Sequence, residues 1–284
     1  MALVNDNLIS EAAQEVETLM NFVAGQVNRV NTIFINKLPT NEKGIVITAP
    51  NGNLYLEVSS VFMNTAPFEK TQQLVFDTLD GIESGVLGWY SDKYGATPQS
   101  ATGDLSAAKQ EATQKLKNNI NSDNILDNLT QSEMVDNVYR MSGEQRYTIQ
   151  EIKDAAHETT RQAVNKYGNN RVLTPMETYS RNIQEILNRS YDEIEDFFLY
   201  QGAEDEKNRE FCANRVGLVY HRAEIEAWPQ DEGFEWLGIL PGTDASNIFV
   251  ALGGFSCRHQ LIPQKLSEVP EAVIARAHTK GLLG

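Results

Sequence analysis

Cysteine, histidine and tryptophan are scarce in this 284-residue chain, at two, four and three copies. Two cysteines far apart in sequence cannot build a disulfide framework, so free thiols in a reducing interior, or a metal site, are expected. Long apolar runs are missing: no stretch approaches the roughly 18 residues of a membrane span. The N-terminus MALVNDNLISEAAQE lacks the basic start and apolar core of a secretion signal, which leads to the expectation that the protein stays where it is made. Positive charge is also short, with 24 Lys and Arg against 39 Asp and Glu and a formal charge of −15. That balance argues against a broad nucleic-acid face or attraction to anionic lipid, because both draw on cations to neutralise phosphate. Arg209, Arg215, Arg222 and Arg258 remain as a local basic group that sequence alone does not place on one surface. Glycine-rich phosphate loops, G-x-S-x-G and H-E-x-x-H are absent, so no catalytic residue is assigned.

What is present is mostly helical periodicity. From Ile9, the residues Ala13, Val16, Met20, Val23, Val27, Val30 and Phe34 recur at steps of three and four, predicting one long helix that ends before Pro39. Its opposite face carries Gln14, Glu17, Asn21, Asn28 and Asn31. Such a narrow seam packs within the chain or docks on another subunit, and the intramolecular packing is the commoner outcome. Gly44–Thr48 and Leu54–Val58 flank Pro50-Asn51-Gly52-Asn53 and read as a β-hairpin over 44–61. Val75, Leu79, Ile82 and Val86 predict a second long helix from Pro67 to about Asp92, the candidate antiparallel partner of the first. Gly81, Gly85 and Gly88 on it point to close backbone approach.

Residues 94–103 have the composition of a linker, and solvated, short helices are expected from there to about Gly143. A helix from about Thr148 to Tyr167 carries His157, a lone histidine of the kind that usually sits at a core boundary. Gly168-Asn169-Asn170 should end it, and Thr174-Pro175-x-Glu177 has the form of a capping box opening the next helix. The fold class is therefore α+β and predominantly α, in three parts: 1–94 with the hairpin, a 95–147 linker and solvated helices, and 148–284 ending in a small mixed module.

Rare residue types concentrate in that last part, between Asp196 and Pro263. Cys212, His221, Cys257 and His259 are the ligand types of a tetrahedral Zn²⁺ site, although the paired spacings of strong zinc motifs are missing. The alternative is that both thiols fill a core while Arg258 and His259 bond to carbonyls or pair with Asp205, Glu210 or Glu224. Asp205 and Arg209, four apart, have the spacing of a helical ion pair. A thiol enzyme would need Cys212 paired with His221 or His259 and oriented by Asp205 or Glu224.

The same stretch contains an ordered series: Tyr200, Gly202 and Asp205, then Arg209, Phe211 and Cys212, then Glu224 and Ile225, then Gly253, Gly254, Cys257, Arg258, His259 and Pro263. This series, over about residues 196–263, resembles the C-terminal region of the phage Mu F-like minor head proteins, the phage head morphogenesis family. The resemblance implies a structural minor head protein of a tailed phage, made in the host cytoplasm and residing in the virion. Several copies would contact portal or major capsid subunits, without membrane and without DNA contact favoured by charge. In that reading Tyr200, Gly202, Asp205, Arg209, Gly253, Gly254 and Arg258 are framework; apolar periodicity alone makes the N-terminal seam and hairpin the candidate contact surfaces. The competing expectation is a zinc-stabilised or thiol-dependent enzyme carried with the virion.

Overall fold

A computed structural model describes residues 5–48, 54, 66–130, 133–206, 208–230, 234, 239–255 and 257–283. The chain is mostly helical with a small three-stranded antiparallel sheet, as the α+β reading expected. It separates into two compact units, one made of Met1–Ile9, Thr78–Thr113 and Leu173–Gly284, the other of Ser10–Asp77 and Gln114–Val172. The stretch expected as a linker falls inside the first of these.

In the second unit, α1 (Asn5–Ile35) buries Ala12, Val16, Leu19, Met20, Val23, Val27, Val30, Phe34 and Ile35. The seam is thus wider than the sequence stripe, and its apolar residues are buried within the chain. Asn31, expected on the polar face, is fully buried, because it lies one turn from both Val27 and Ile35 on the flank of the seam. Helices α4 (Ser122–Thr130), α5 (Glu133–Gly143) and α6 (Ile149–Tyr167) pack on one another. His157 on α6 is half-buried, with its Nε2 3.2 Å from the Thr32 hydroxyl. Most of the expected hairpin lies outside the described residues. Its described part departs from a hairpin: Val46 bridges Thr40, Ile45 bridges Thr148, and Leu54 is helical and buried.

The π-helical segment Gly168–Leu173 keeps the chain helical between α6 and α7 (Thr174–Ser190), so the expected break at 168–170 and the capping box at Thr174 do not form. Pro175 then stands in the first turn of α7, where the missing N–H costs little. The capping box lies earlier, at Thr148 and Glu151, where each side chain accepts the other's backbone N–H.

In the first unit, α7 is buried on most of its circumference and packs on α10 (Ile248–Ala251) and β3 (Gln260–Pro263). From α2 (Ala66–Tyr94), Tyr90 donates to Asn188 Oδ1 at 2.6 Å and stacks on Tyr191. Gly81 meets Leu8, where an added Cβ would stand 2.9 Å from a Leu8 methyl, whereas Gly88 faces open space. Close approach therefore explains Gly81 and not Gly88. Helix α3 (Thr102–Asn119) is long where short helices were expected. Leu105, Ala108, Ala112 and Leu116 form a buried stripe along it, continuing from Ala101 in the 3-10 turn just before it, and its small residues carried too little hydropathy to be read as a seam.

The sheet has the order β2–β1–β3, with β1 (Phe197–Gln201) central and β2 (Val219–His221) and β3 antiparallel to it. Both faces of β1 are covered. Phe198 and Tyr200 enter one cluster with Phe211, Cys212, Trp228, Phe249 and Cys257, while Phe197 enters another with Val219, Val273 and Ala277 from α11 (Glu271–Thr279). A strand buried on both sides reads as a continuous apolar run, which is why FFLY shows no alternation. Burial at this level stabilises by ~2 kcal/mol per large side chain before entropy is counted.

Candidate functional site

On the Phe198 and Tyr200 face of the sheet, Cys212, Cys257 and His259 meet. Each is 2% exposed, and their ligand-type atoms lie within 4.8 Å of one another. Cys212 arrives on the one-turn helix α8 (Glu210–Ala213), which the charged turn after β1 starts at Glu210. Cys257 and His259 arrive on the segment just before β3, with Cys257 Sγ 3.8 Å from His259 Nδ1. The Tyr200 hydroxyl donates to Cys212 Sγ at 3.3 Å and lies 3.9 Å from Cys257 Sγ, while its ring stacks on His259.

The loop leading to Cys257 is shaped over the thiols. Leu252, with φ +40° and ψ −124°, and Gly254, with φ +85°, turn the backbone sharply, and a sparsely populated backbone conformation at a buried leucine costs about 1–3 kcal/mol. Between them, Gly253 donates its N–H to Cys257 Sγ at 3.3 Å. A Cβ there would stand 2.5 Å from Cys212 Sγ and 2.8 Å from Cys257 Sγ, so only glycine fits. Gly202 is likewise forced, since its Cβ would fall 2.6 Å from His259 Cδ2 and 2.7 Å from the Arg258 carbonyl oxygen.

Guanidinium groups pin this loop. Arg209 donates to the carbonyls of Gly253 and Phe255 at 3.0 and 2.6 Å, and Arg181, buried on α7, donates to those of Val250 and Cys257 at 2.6 and 2.7 Å. Arg258 holds Asp205 through two 2.7 Å bonds, with both side chains about 40% exposed. The expected Asp205–Arg209 pair is thus replaced, because the turn between β1 and α8 sends Arg209 to the carbonyls and leaves Asp205 for Arg258. Nor do Arg209, Arg215, Arg222 and Arg258 form a free basic patch. Arg222 pairs with Glu185 and Asp196, and Arg215 lies over the Phe211 and Trp228 rings.

The hydrogen bond from Cys212 holds the Cys257 thiol well below its usual range against the opposing effect of burial, with His259 and Arg181 adding to it. That same bond, together with burial, pushes Cys212 up. Burial and the neighbouring Cys257 raise Tyr200, so its proton stays in place as a donor. Glu177, one turn before Arg181, is pushed up to about 7 by burial, with Arg181 opposing and Cys257 adding to the shift, and its buried Oε2 has no hydrogen-bond partner among the described residues.

His221 is not part of this group, and here the four-ligand expectation is corrected. In the β2–β1 register His221 faces Phe197, and directly paired residues share a sheet face, so its ring packs edge-on against Phe197 on the side away from the thiols. There it caps α9 (Arg222–Ala227): Nδ1 accepts the Ala223 N–H at 3.2 Å, and Glu224 Oε2 accepts the His221 N–H at 3.0 Å. Glu224 in turn binds Arg276 at 2.9 Å and Lys280 at 2.8 Å. Burial works against its charge, but these cations and the His221 N–H hold its carboxyl down at about 2.

Arg181 and Glu177 were not read as site residues from the sequence. Their spacing of four on one helix was the available signal. Among the described residues no helix is long and apolar enough to cross a membrane. Compared with known protein families, curated proteins and solved structures, the chain matches none.

Proposed function

We propose that the chain is a structural head protein of a tailed phage, working in head morphogenesis by binding portal or major capsid subunits in several copies. One observation carries this reading: the residues of the ordered series touch one another. Tyr200 bonds Cys212, Gly202 lies under His259, Asp205 holds Arg258, and Arg209 holds the backbone beside Gly254. Scattered positions that close on each other in this way form a framework, which is the role the resemblance implies for them. The thiol-enzyme alternative lacks an approach for substrate, because Cys212, Cys257 and His259 are each 2% exposed.

The buried α1 seam leaves partner contact to other surfaces, and the hairpin region stays a candidate. Protein mass spectrometry of purified heads, with and without the gene for this chain, tests the proposal. We expect the chain at several copies per particle and malformed heads in its absence. Its absence from particles, together with normal heads when the gene is deleted, would overturn the reading.

A further inference from the structure

We infer that Cys212, Cys257 and His259 bind one zinc ion, as two thiolates and one imidazole. Zn–S bonds of about 2.3 Å and Zn–N bonds of about 2.0 Å at a tetrahedral angle place neighbouring donors roughly 3.5–3.8 Å apart. Cys257 Sγ and His259 Nδ1 already stand at 3.8 Å, and all three donors lie within 4.8 Å of one another. Closing them on a metal needs side-chain adjustments of about 1 Å and no rebuilding of the fold.

The imidazole is presented as a ligand. Its Nε2 lies 2.9 Å from the Ala203 carbonyl, so Nε2 carries the proton and donates it, leaving the Nδ1 lone pair toward the sulfurs. An outer hydrogen bond of this kind orients metal-ligating histidines and fixes their tautomer. The sulfurs are provided for as well: the Gly253 N–H and the Tyr200 hydroxyl both donate to them, which suits thiolates. Gly202 and Gly253 are glycine because the ligand side chains occupy the space a Cβ would need.

Two thiolates and a neutral imidazole around Zn²⁺ sum to zero, so the filled site would bury no net charge. One soft ligand pair plus one imidazole fits zinc better than magnesium or calcium, which take oxygen ligands. Three protein ligands leave the fourth position to water or to the Tyr200 hydroxyl. The ion would tie α8 to the segment before β3, 45 residues later. This inference rests on local geometry and not on the phage reading, so either can fail alone.

The test uses the full chain, purified without chelator, with zinc measured by elemental analysis. The metal is then removed and Co²⁺ titrated in, and thiolate-to-cobalt charge-transfer absorption is recorded. We expect one zinc per chain and a cobalt signal that saturates at one equivalent. His259→Gln should weaken cobalt binding at least about tenfold, and His221→Gln should leave it unchanged. Zinc far below one equivalent with no charge-transfer band in the unaltered chain would overturn the inference, as would a Cys212–Cys257 disulfide found in protein purified under reducing conditions. Because the unaltered chain supplies the deciding result, poor folding of a variant does not protect the inference.

Discussion

Replacing Glu224 with glutamine should make the protein less stable at neutral pH and less sensitive to acid. The carboxylate accepts the His221 N–H, binds Arg276 and Lys280, and is itself buried. Its folded pKa of about 2 lies below the ordinary 4.5, so its contribution is fully present above pH 4.5 and is lost as pH falls from there toward 2. A shift of that size corresponds to about 3 kcal/mol, which we reduce to about 2–3 kcal/mol because Arg276 and Lys280 are 39% and 54% exposed and screened by water. Urea unfolding at steps from pH 7 to pH 2.5 measures it. Glu224→Gln should lose that amount at pH 7, and the gap should shrink to about a quarter of it by pH 2.5. Equal stability of the two proteins at pH 7, or a constant gap across the range, would refute the reasoning.

Glu177→Gln should act with the opposite sign, because a carboxyl raised to about 7 is penalised when charged. We expect a gain of up to about 3 kcal/mol at pH 8 that shrinks through the window from 7 to 4.5, read by the same unfolding series. Gly253→Ala should destabilise by about 3 kcal/mol, since its methyl would meet both sulfurs, while Gly88→Ala, in a helix and facing open space, should stabilise by about 1 kcal/mol. Thermal melts of the pair check whether close approach distinguishes them. Asp205→Ala should cost only about 0.5–1 kcal/mol because the Arg258 pair is half in solvent.

The fold was legible where periodicity and apolar size coincide, as along α1 and in the doubly buried β1. It was illegible where small residues did the packing, as in α3, whose alanine-rich stripe reads as polar on average. Local end signals misled at Gly168 and Thr174, because a π-helical segment carries the chain through the Gly-Asn-Asn stretch and Pro175 is tolerated in the first turn of α7. Cys212, Cys257 and His259 were legible only as ligand types within a four-residue set, because residue type marks them in the sequence while their meeting depends on the fold. His221 could not be sorted, because the face a strand residue takes depends on pairing register, and register with Phe197 is a property of the assembled sheet. Arg181 was missed for a related reason: its partners are backbone carbonyls 69 and 76 residues away, which carry no sequence signature.

Native-state alkylation is the most direct test that this region is a closed clasp and not an open catalytic cleft. The folded chain is treated with iodoacetamide, with and without denaturant, and each cysteine is followed by mass spectrometry. Closed geometry predicts that Cys212 and Cys257 stay unmodified until denaturant unfolds the chain, and then react together. Rapid labelling of either one in the native protein, at the rate of an exposed thiol, would contradict it.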